Sequence, residues 1–241
     1  MSFAPLSPDF IRALCAAAAP TLPRVRLFGL DLVNASPAMV VEALMVVQQP
    51  QRLTFFNADC ANLALCDGEY RAALTSADLI LPGGRCVPLA ARMARRPLVA
   101  RHSGPAFLPR LLARAARAGR KVFLVGGPPG VAERVANRLC LAIPGLRIVG
   151  TRDGLDGIEN ETETVAAINA SGADIVIAGL GLPHSDVWLA DVSPRLTARL
   201  TLATGPLRDV GSGHMRRTPR LRGLTLAPQA GGMPAPGAGR F

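Results

Sequence analysis

Lys121-Val122-Phe123-Leu124-Val125-Gly126-Gly127-Pro128-Pro129-Gly130 is the stretch that decides the fold. Val122 to Val125 are apolar without alternation, as in a strand covered on both faces. A glycine-rich turn ends that run, and residues 131–141 take up helical spacing. The same succession recurs downstream: a buried-type strand over 174–178, a loop over 179–186, and a helix that begins near Val187. Upstream, strands are expected over 24–32, 53–56 and 77–81, with others over 146–149 and 199–203. Helices fill the intervals at 38–48, 60–75, 87–95, 107–118 and 161–171. Ser36-Pro37 marks the first helix start, with Ser as N-cap and Pro at the first helical position. Strands of continuous apolar character that alternate with helices of this length predict an α/β fold, a parallel sheet with helices on both faces.

Composition narrows the function. The chain has 241 residues, 27 Lys+Arg against 17 Asp+Glu and a formal net charge of +10. Hydrophobic residues make up 49% and the mean hydropathy is +0.28, which excludes a disordered polyelectrolyte. Aromatics are only 4%, too few for the stacking platforms of a single-strand nucleic-acid binder. Lys121 is the only lysine, so the positive charge is arginine, whose planar fork suits phosphate and carboxylate. Codon bias and an anionic partner both account for that excess. Five dispersed cysteines form no CxxC pair and no zinc spacing, which fits a reduced cytosolic chain. No apolar run reaches the roughly 18 residues of a membrane span, and the N-terminus does not read as a signal peptide.

Three segments follow: a lead-in over 1–23, a domain over 24–204, and a basic Gly/Pro-rich appendage over 205–241. In parallel sheets of this kind, ligands bind beyond the carboxyl ends of the strands. The informative loops are therefore those that follow strands. Asn57 and Asp59 offer an amide for sugar hydroxyls and a carboxylate for proton transfer; a helix cap explains Asn57 equally well. Gly126, Gly127 and Gly130 could let backbone N–H groups hold a phosphate, although the turn is neither GxGxxG nor a P-loop. Gly179 and Gly181 allow close backbone approach, with His184 and Ser185 beside them; Ser185 and Asp186 also fit as caps. His102-Ser103 suggests a hydrolase only weakly, because no G-x-S-x-G elbow is present. Arg216, Arg217, Arg220 and Arg222 read as a pyrophosphate clamp or as a solvated tail.

The order of these loops resembles one family. Thr54-Phe55-Phe56-Asn57-Ala58 comes first, then Ala77-Asp78-Leu79-Ile80-Leu81-Pro82-Gly83-Gly84. Val122–Gly127, Pro144-Gly145-Leu146-Arg147-Ile148-Val149-Gly150-Thr151 and Gly179-Leu180-Gly181-Leu182-Pro183 with Trp188 follow. The series is similar to the WecG/TagA/CpsF glycosyltransferases over about residues 24–226. The resemblance implies a Rossmann-like fold and an inverting transfer that uses neither metal nor other cofactor. The donor would be a UDP-sugar, and the acceptor a saccharide on polyprenyl pyrophosphate, in surface polysaccharide synthesis. The protein would sit peripherally on an anionic membrane at its cytoplasmic face, with no nucleic-acid partner and with self-association left open. Thr54, Asn57, Gly84 and the two glycine loops would bind the donor, and the four tail arginines would bind the lipid pyrophosphate.

The chain departs from the family at polar positions. The usual Pro-Asp-Gly, whose Asp is the proposed general base, is Pro82-Gly83-Gly84 here. The usual Gly-Ser-Asp or Gly-Thr-Asp is Gly104-Pro105-Ala106, and the usual Pro-Lys-Gln-Glu is Pro183-His184-Ser185-Asp186. Asp59, with Asp78 second, is the candidate replacement base. The alternative is a catalytically impaired nucleotide-sugar or lipid-binding homologue that assists an active partner.

Overall fold

The computed structural model describes residues 22–207. The lead-in up to residue 21 and Arg216, Arg217, Arg220 and Arg222 lie outside the described residues.

The strands are β1 (Arg24–Leu27), β2 (Leu30–Val33), β3 (Gln51–Phe56), β4 (Leu79–Pro82), β5 (Lys121–Val125), β6 (Arg147–Arg152), β7 (Ile175–Ala178) and β8 (Leu200–Ala203). The helices are α1 (Pro37–Val46), α2 (Ala58–Cys66), α3 (Gly68–Thr75), α4 (Cys86–Met93) and α5 (Gly104–Arg117). Then come α6 (Val131–Ala142), α7 (Gly154–Glu159), α8 (Glu161–Ser171) and α9 (His184–Val192), with a 3₁₀ turn at Ser193–Arg195. All eight strands form one sheet in the order β1-β2-β4-β3-β8-β7-β5-β6. Only the β1–β2 pair is antiparallel.

Local chemistry explains the boundaries. Ser36 caps α1 by accepting from Met39 N, and Pro37 opens the helix. The single strand expected over 24–32 is a hairpin instead. Phe28 and Gly29 both take positive φ, 55° and 76°, and turn the chain back on itself. The single helix expected over 60–75 is two. Asp67 ends α2 and its side chain accepts from Tyr70 N, starting α3. β6 runs past Gly150 to Arg152, paired with β5, and the Phe123 ring lies over that glycine and leaves no room for a Cβ.

Alternation along the buried strands splits the core into two faces. Leu53, Leu81, Leu124, Ile177 and Leu202 meet α1, α5 and α6 on one side. On the other, Phe123, Val125, Val176 and Ala178 meet α8 and α9, while Leu32, Phe56 and Ile80 meet α2, α3 and α4.

Candidate active site at the carboxyl edge of the sheet

The strand order sets two topological switch points at the carboxyl edge of the sheet, which are the two candidate crevices. β5 connects to its neighbour β6, whereas β7 connects the opposite way to β8, so the chain leaves these two strands in opposite directions. β3 likewise leads to β4, while the chain leaving β8 turns toward β7, where Leu207 N donates to the Gly179 carbonyl at 2.9 Å. Such divergence is where open α/β sheets bind ligands.

At the first crevice two glycine loops are in direct backbone contact. Gly126 has φ +141°, and a Cβ there would run into the Gly179 carbonyl. A Cβ on Gly179 would stand 2.7 Å from Leu207 Cβ. Gly126 N donates to the Arg152 carbonyl at 2.9 Å, and Gly130 N donates to Asp153 Oδ1 at 3.1 Å. Two of the three glycine amides expected to cradle a phosphate are thus engaged within the protein. Gly181, with φ +88°, lies under Pro206, and His184 stands exposed at the start of α9.

The second crevice gathers Asn57, Gly83, Gly84, His102, Gly104 and Thr204. Asn57 Oδ1 accepts from Asp59 N and Cys60 N at 2.8 and 3.0 Å, so its carbonyl caps α2. Gly84, with φ +67°, packs on Asn57; a Cβ there would be 3.3 Å from Asn57 Cβ. Asp59 is exposed in the first turn of α2. Gly83 N donates to the Phe56 carbonyl at 2.7 Å, and His102 N donates to the Pro82 carbonyl at 2.6 Å. The second of these bonds lays the His102 backbone over Gly83. A Cβ at position 83 would be 2.7 Å from the His102 carbonyl oxygen. The place where the family resemblance puts a carboxylate is filled by main chain.

Several expectations are corrected here. Thr54 does not face the crevice. Its side chain is buried on the α2–α3 side of β3, and its hydroxyl donates to Asp186 Oδ1. Ser185 is 1% exposed; its hydroxyl accepts from Leu180 N at 2.9 Å and donates to the Thr204 carbonyl at 3.0 Å, which exhausts its donor. Ser185 therefore ties the glycine loop to the exit of β8 and does not itself reach a nucleotide. Asp78 lies at the amino end of β4, away from both crevices, where its carboxylate accepts from Arg52 N at 2.7 Å. The His102 ring is buried, its Nε2 is 3.1 Å from the Ala35 carbonyl, and burial pushes the imidazole below its ordinary value. A carbonyl only accepts, so Nε2 carries the proton, and the remaining ring nitrogen, Nδ1, is buried without a hydrogen-bond partner, so the ring is not paired with Ser103. Thr204 and the backbone of His102 line the crevice without any motif to announce them; only their placement by β8 and by the Pro82 carbonyl does so.

Asp186 ties the start of α9 to β3 on the buried side of the sheet. It lies in the first turn of α9, carries the Thr54 hydroxyl, and sits beside the Arg52 guanidinium. Burial pushes its carboxyl up to about 6, against the opposing pull of the Thr54 hydrogen bond and the Arg52 charge.

The chain matches the family described as "Glycosyl transferase WecG/TagA/CpsF family" over residues 25–224. It is 28% identical over 194 residues to an "N-acetylglucosaminyldiphosphoundecaprenol N-acetyl-beta-D-mannosaminyltransferase" of Bacillus spizizenii, which covers 79% of this chain and 75% of that protein. A protein of the same name from Bacillus subtilis is 27% identical over 163 residues, covering 68% of this chain and 63% of its own length. The chain belongs to the WecG/TagA/CpsF glycosyltransferase family.

Proposed function

We propose that this family member transfers a sugar from a UDP-sugar to a saccharide carried on polyprenyl pyrophosphate, a step in making a surface polysaccharide. The observation that carries the reading is the convergence of its family-matching loops on one edge of the sheet. The loops after β3, β4, β5 and β7 all open there, around two crevices. The relatives' printed names supply the lipid-linked acceptor class and make an N-acetylhexosamine the first donor to try.

The donor takes the span between the crevices. The Asn57 Nδ2 amide, the Gly84 and Gly127 backbone and the exposed His184 are the groups left to meet it. In an inverting displacement, an acceptor hydroxyl oxygen bonds to the anomeric carbon as the bond to UDP breaks, and the hydroxyl proton passes to a base. Asp59 is the carboxylate assigned to receive it. Arg216, Arg217, Arg220 and Arg222 are assigned the lipid pyrophosphate, at the cytoplasmic face of the membrane. Among the described residues no helix is long and apolar enough to cross a bilayer.

One observation favours a second reading. The His102 carbonyl over Gly83 leaves no room for a carboxylate at position 83, and loss of a general base typically costs 10²–10⁴-fold in rate. A homologue that binds nucleotide-sugar without turning it over would look like this. The test is transfer of labelled sugar from a panel of UDP-sugars to a polyprenyl-pyrophosphate N-acetylglucosamine acceptor, alongside a UDP titration. Transfer that Asp59→Asn abolishes supports the first reading. UDP binding at Asn57 and His184 without transfer from any donor supports the second. No UDP binding at either crevice overturns both.

A further inference from the structure

We infer that the face built from the β1–β2 hairpin tip, α4 and the loop after it docks the protein on an anionic lipid bilayer, beside the site proposed above. The inference rests on the reading that the acceptor is anchored in a membrane. It concerns a surface separate from the basic C-terminal appendage.

Helix α4 has two faces. Val87 and Ala91 are buried beneath it in the core shared with Leu27 and Leu30 of the hairpin. Leu89 and Met93 stand on the other side at i and i+4 spacing and are 60% and 79% exposed. Val99, in the following loop, is 68% exposed. Arg85, Arg92, Arg95, Arg96 and Arg101 alternate with these residues along the chain, and all five are exposed. From residue 79 to residue 103, the segment that carries α4 and the loop after it, the sequence holds these five arginines and no Asp or Glu. The one acid on the hairpin, Asp31, is paired with Arg26 at 3.1 Å.

Backbone strain points to the same face. Among the described residues, Phe28 and Arg95 are the two non-glycine residues with positive φ, both at 55°. Phe28 holds a hairpin position that ordinarily takes Asn or Gly, and Arg95 holds the helix-stop position that ordinarily takes Gly. The stop is a Schellman arrangement, with Arg96 N donating to the Ala91 carbonyl at 2.8 Å. The two sites belong to one surface, because Arg96 Nη1 donates to the Arg26 carbonyl at 2.7 Å. At Phe28 the ring lies 5.6 Å from the Phe56 ring, centroid to centroid, and remains 55% exposed, and Arg95 is exposed as well.

A bilayer with anionic headgroups fits this combination. Arginines meet the lipid phosphates while Phe28, Leu89 and Met93 enter the headgroup–acyl boundary. Charge argues against the other occupants. The chain beyond residue 207 carries six arginines against Asp209 alone and would be repelled. A second copy docked face to face would set arginine against arginine. A nucleic acid would leave Leu89 and Met93 in water. The face also adjoins the reaction edge: Arg85 directly follows Gly84, and Arg101 directly precedes His102, whose backbone covers Gly83.

The test is co-sedimentation of the full chain with vesicles of equal parts phosphatidylglycerol and phosphatidylcholine, against vesicles of phosphatidylcholine alone. Neither contains donor or acceptor, so docking is read whether or not the chain transfers sugar. Arg95→Gly and Phe28→Gly relieve the left-handed strain and keep the fold, as thermal melting will verify. Arg95→Gly is expected to weaken binding to the anionic vesicles about five-fold, and adding Arg92→Gln about 25-fold, at roughly the worth of one surface arginine each. Phe28→Gly should weaken it several-fold. Unchanged binding in all three variants overturns the proposal. So does equal binding to the neutral vesicles, or complete loss on changing only Arg216, Arg217, Arg220 and Arg222 to Gln. A fall in oligomeric mass with vesicle binding unaltered would reassign the face to a second copy.

Discussion

The two crevices use the same device to different ends. At Gly126 and at Gly83 alike, a glycine lies against a carbonyl oxygen from another loop, Gly179 in one case and His102 in the other. Between β5 and β7 the contact fuses two loops at a point of diverging connections. The absence of side chains there lets main chain from two strands come together at the edge where a ligand binds. Between β3 and β4 the contact does the reverse. It fills with backbone the space from which the family resemblance would project a carboxylate. A glycine loop thus says only that main chain comes close; the neighbouring element decides whether a site is opened or sealed.

The largest effect that would break this comparison is expected at Gly126. Gly126→Ala would force a Cβ into the Gly179 carbonyl at a backbone φ of +141° that side chains rarely adopt. A loss of about 3 kcal/mol or more is expected by urea denaturation, comparable to severe overpacking with backbone strain. A mild effect would show that the loops are free to separate. Next comes Gly83→Asp, which the family pattern alone would present as restoring the missing base. The structure predicts a loss of about 1–3 kcal/mol through the contact with the His102 carbonyl, with no gain in sugar transfer. A large gain in transfer would show that the loop carrying His102 swings away to admit the carboxylate.

The smallest effect concerns the buried tie between α9 and β3 and is read as a pH slope. Asp186 is raised in the folded state to about 6 from an ordinary value of 3.8. Between those values the folded chain holds a proton that the unfolded chain has released. Stability therefore falls as pH rises from about 4 to about 6, and the favourable contribution lies at the acid end. Asp186→Asn keeps an acceptor for the Thr54 hydroxyl and should flatten that part of the stability–pH curve, measured by urea midpoints across the interval. An unchanged slope would mean that Asp186 is not the group that titrates in this interval.

The sheet was legible because buried parallel strands announce themselves by composition. β5 at Lys121–Val125 and α8 at Glu161–Ser171 have the bounds expected of them. Elements were misread where a position holds an unusual residue for its job. The hairpin lacks the Asn-Gly signal because Phe28 takes the left-handed turn position. Gly150 looks like the end of a strand and is instead a seat for the Phe123 ring. The site was less legible because a polar residue's partner lies far along the chain. Thr54 and Asp186 are 132 residues apart, and nothing local tells a ligand-facing threonine from one that is committed below the sheet. Asn57 carries two meanings, of which the structure shows one, the carbonyl that caps α2, and leaves the amide for the proposed donor.

The strand order also constrains how the molecule is made. β3 meets β7 only through β8, which pairs with each of them along a parallel register. β8 is the last strand among the described residues and sits in the middle of the sheet. During synthesis, the half containing β1 to β4 and the half containing β5 to β7 each end in an open edge until residues 200–203 emerge and insert between them. Open parallel edges invite pairing with other chains. A ribosome stalled before Leu200, or a truncation there, would leave two half-sheets with sticky borders. Loss of β8 is therefore expected to yield aggregate rather than a smaller folded domain.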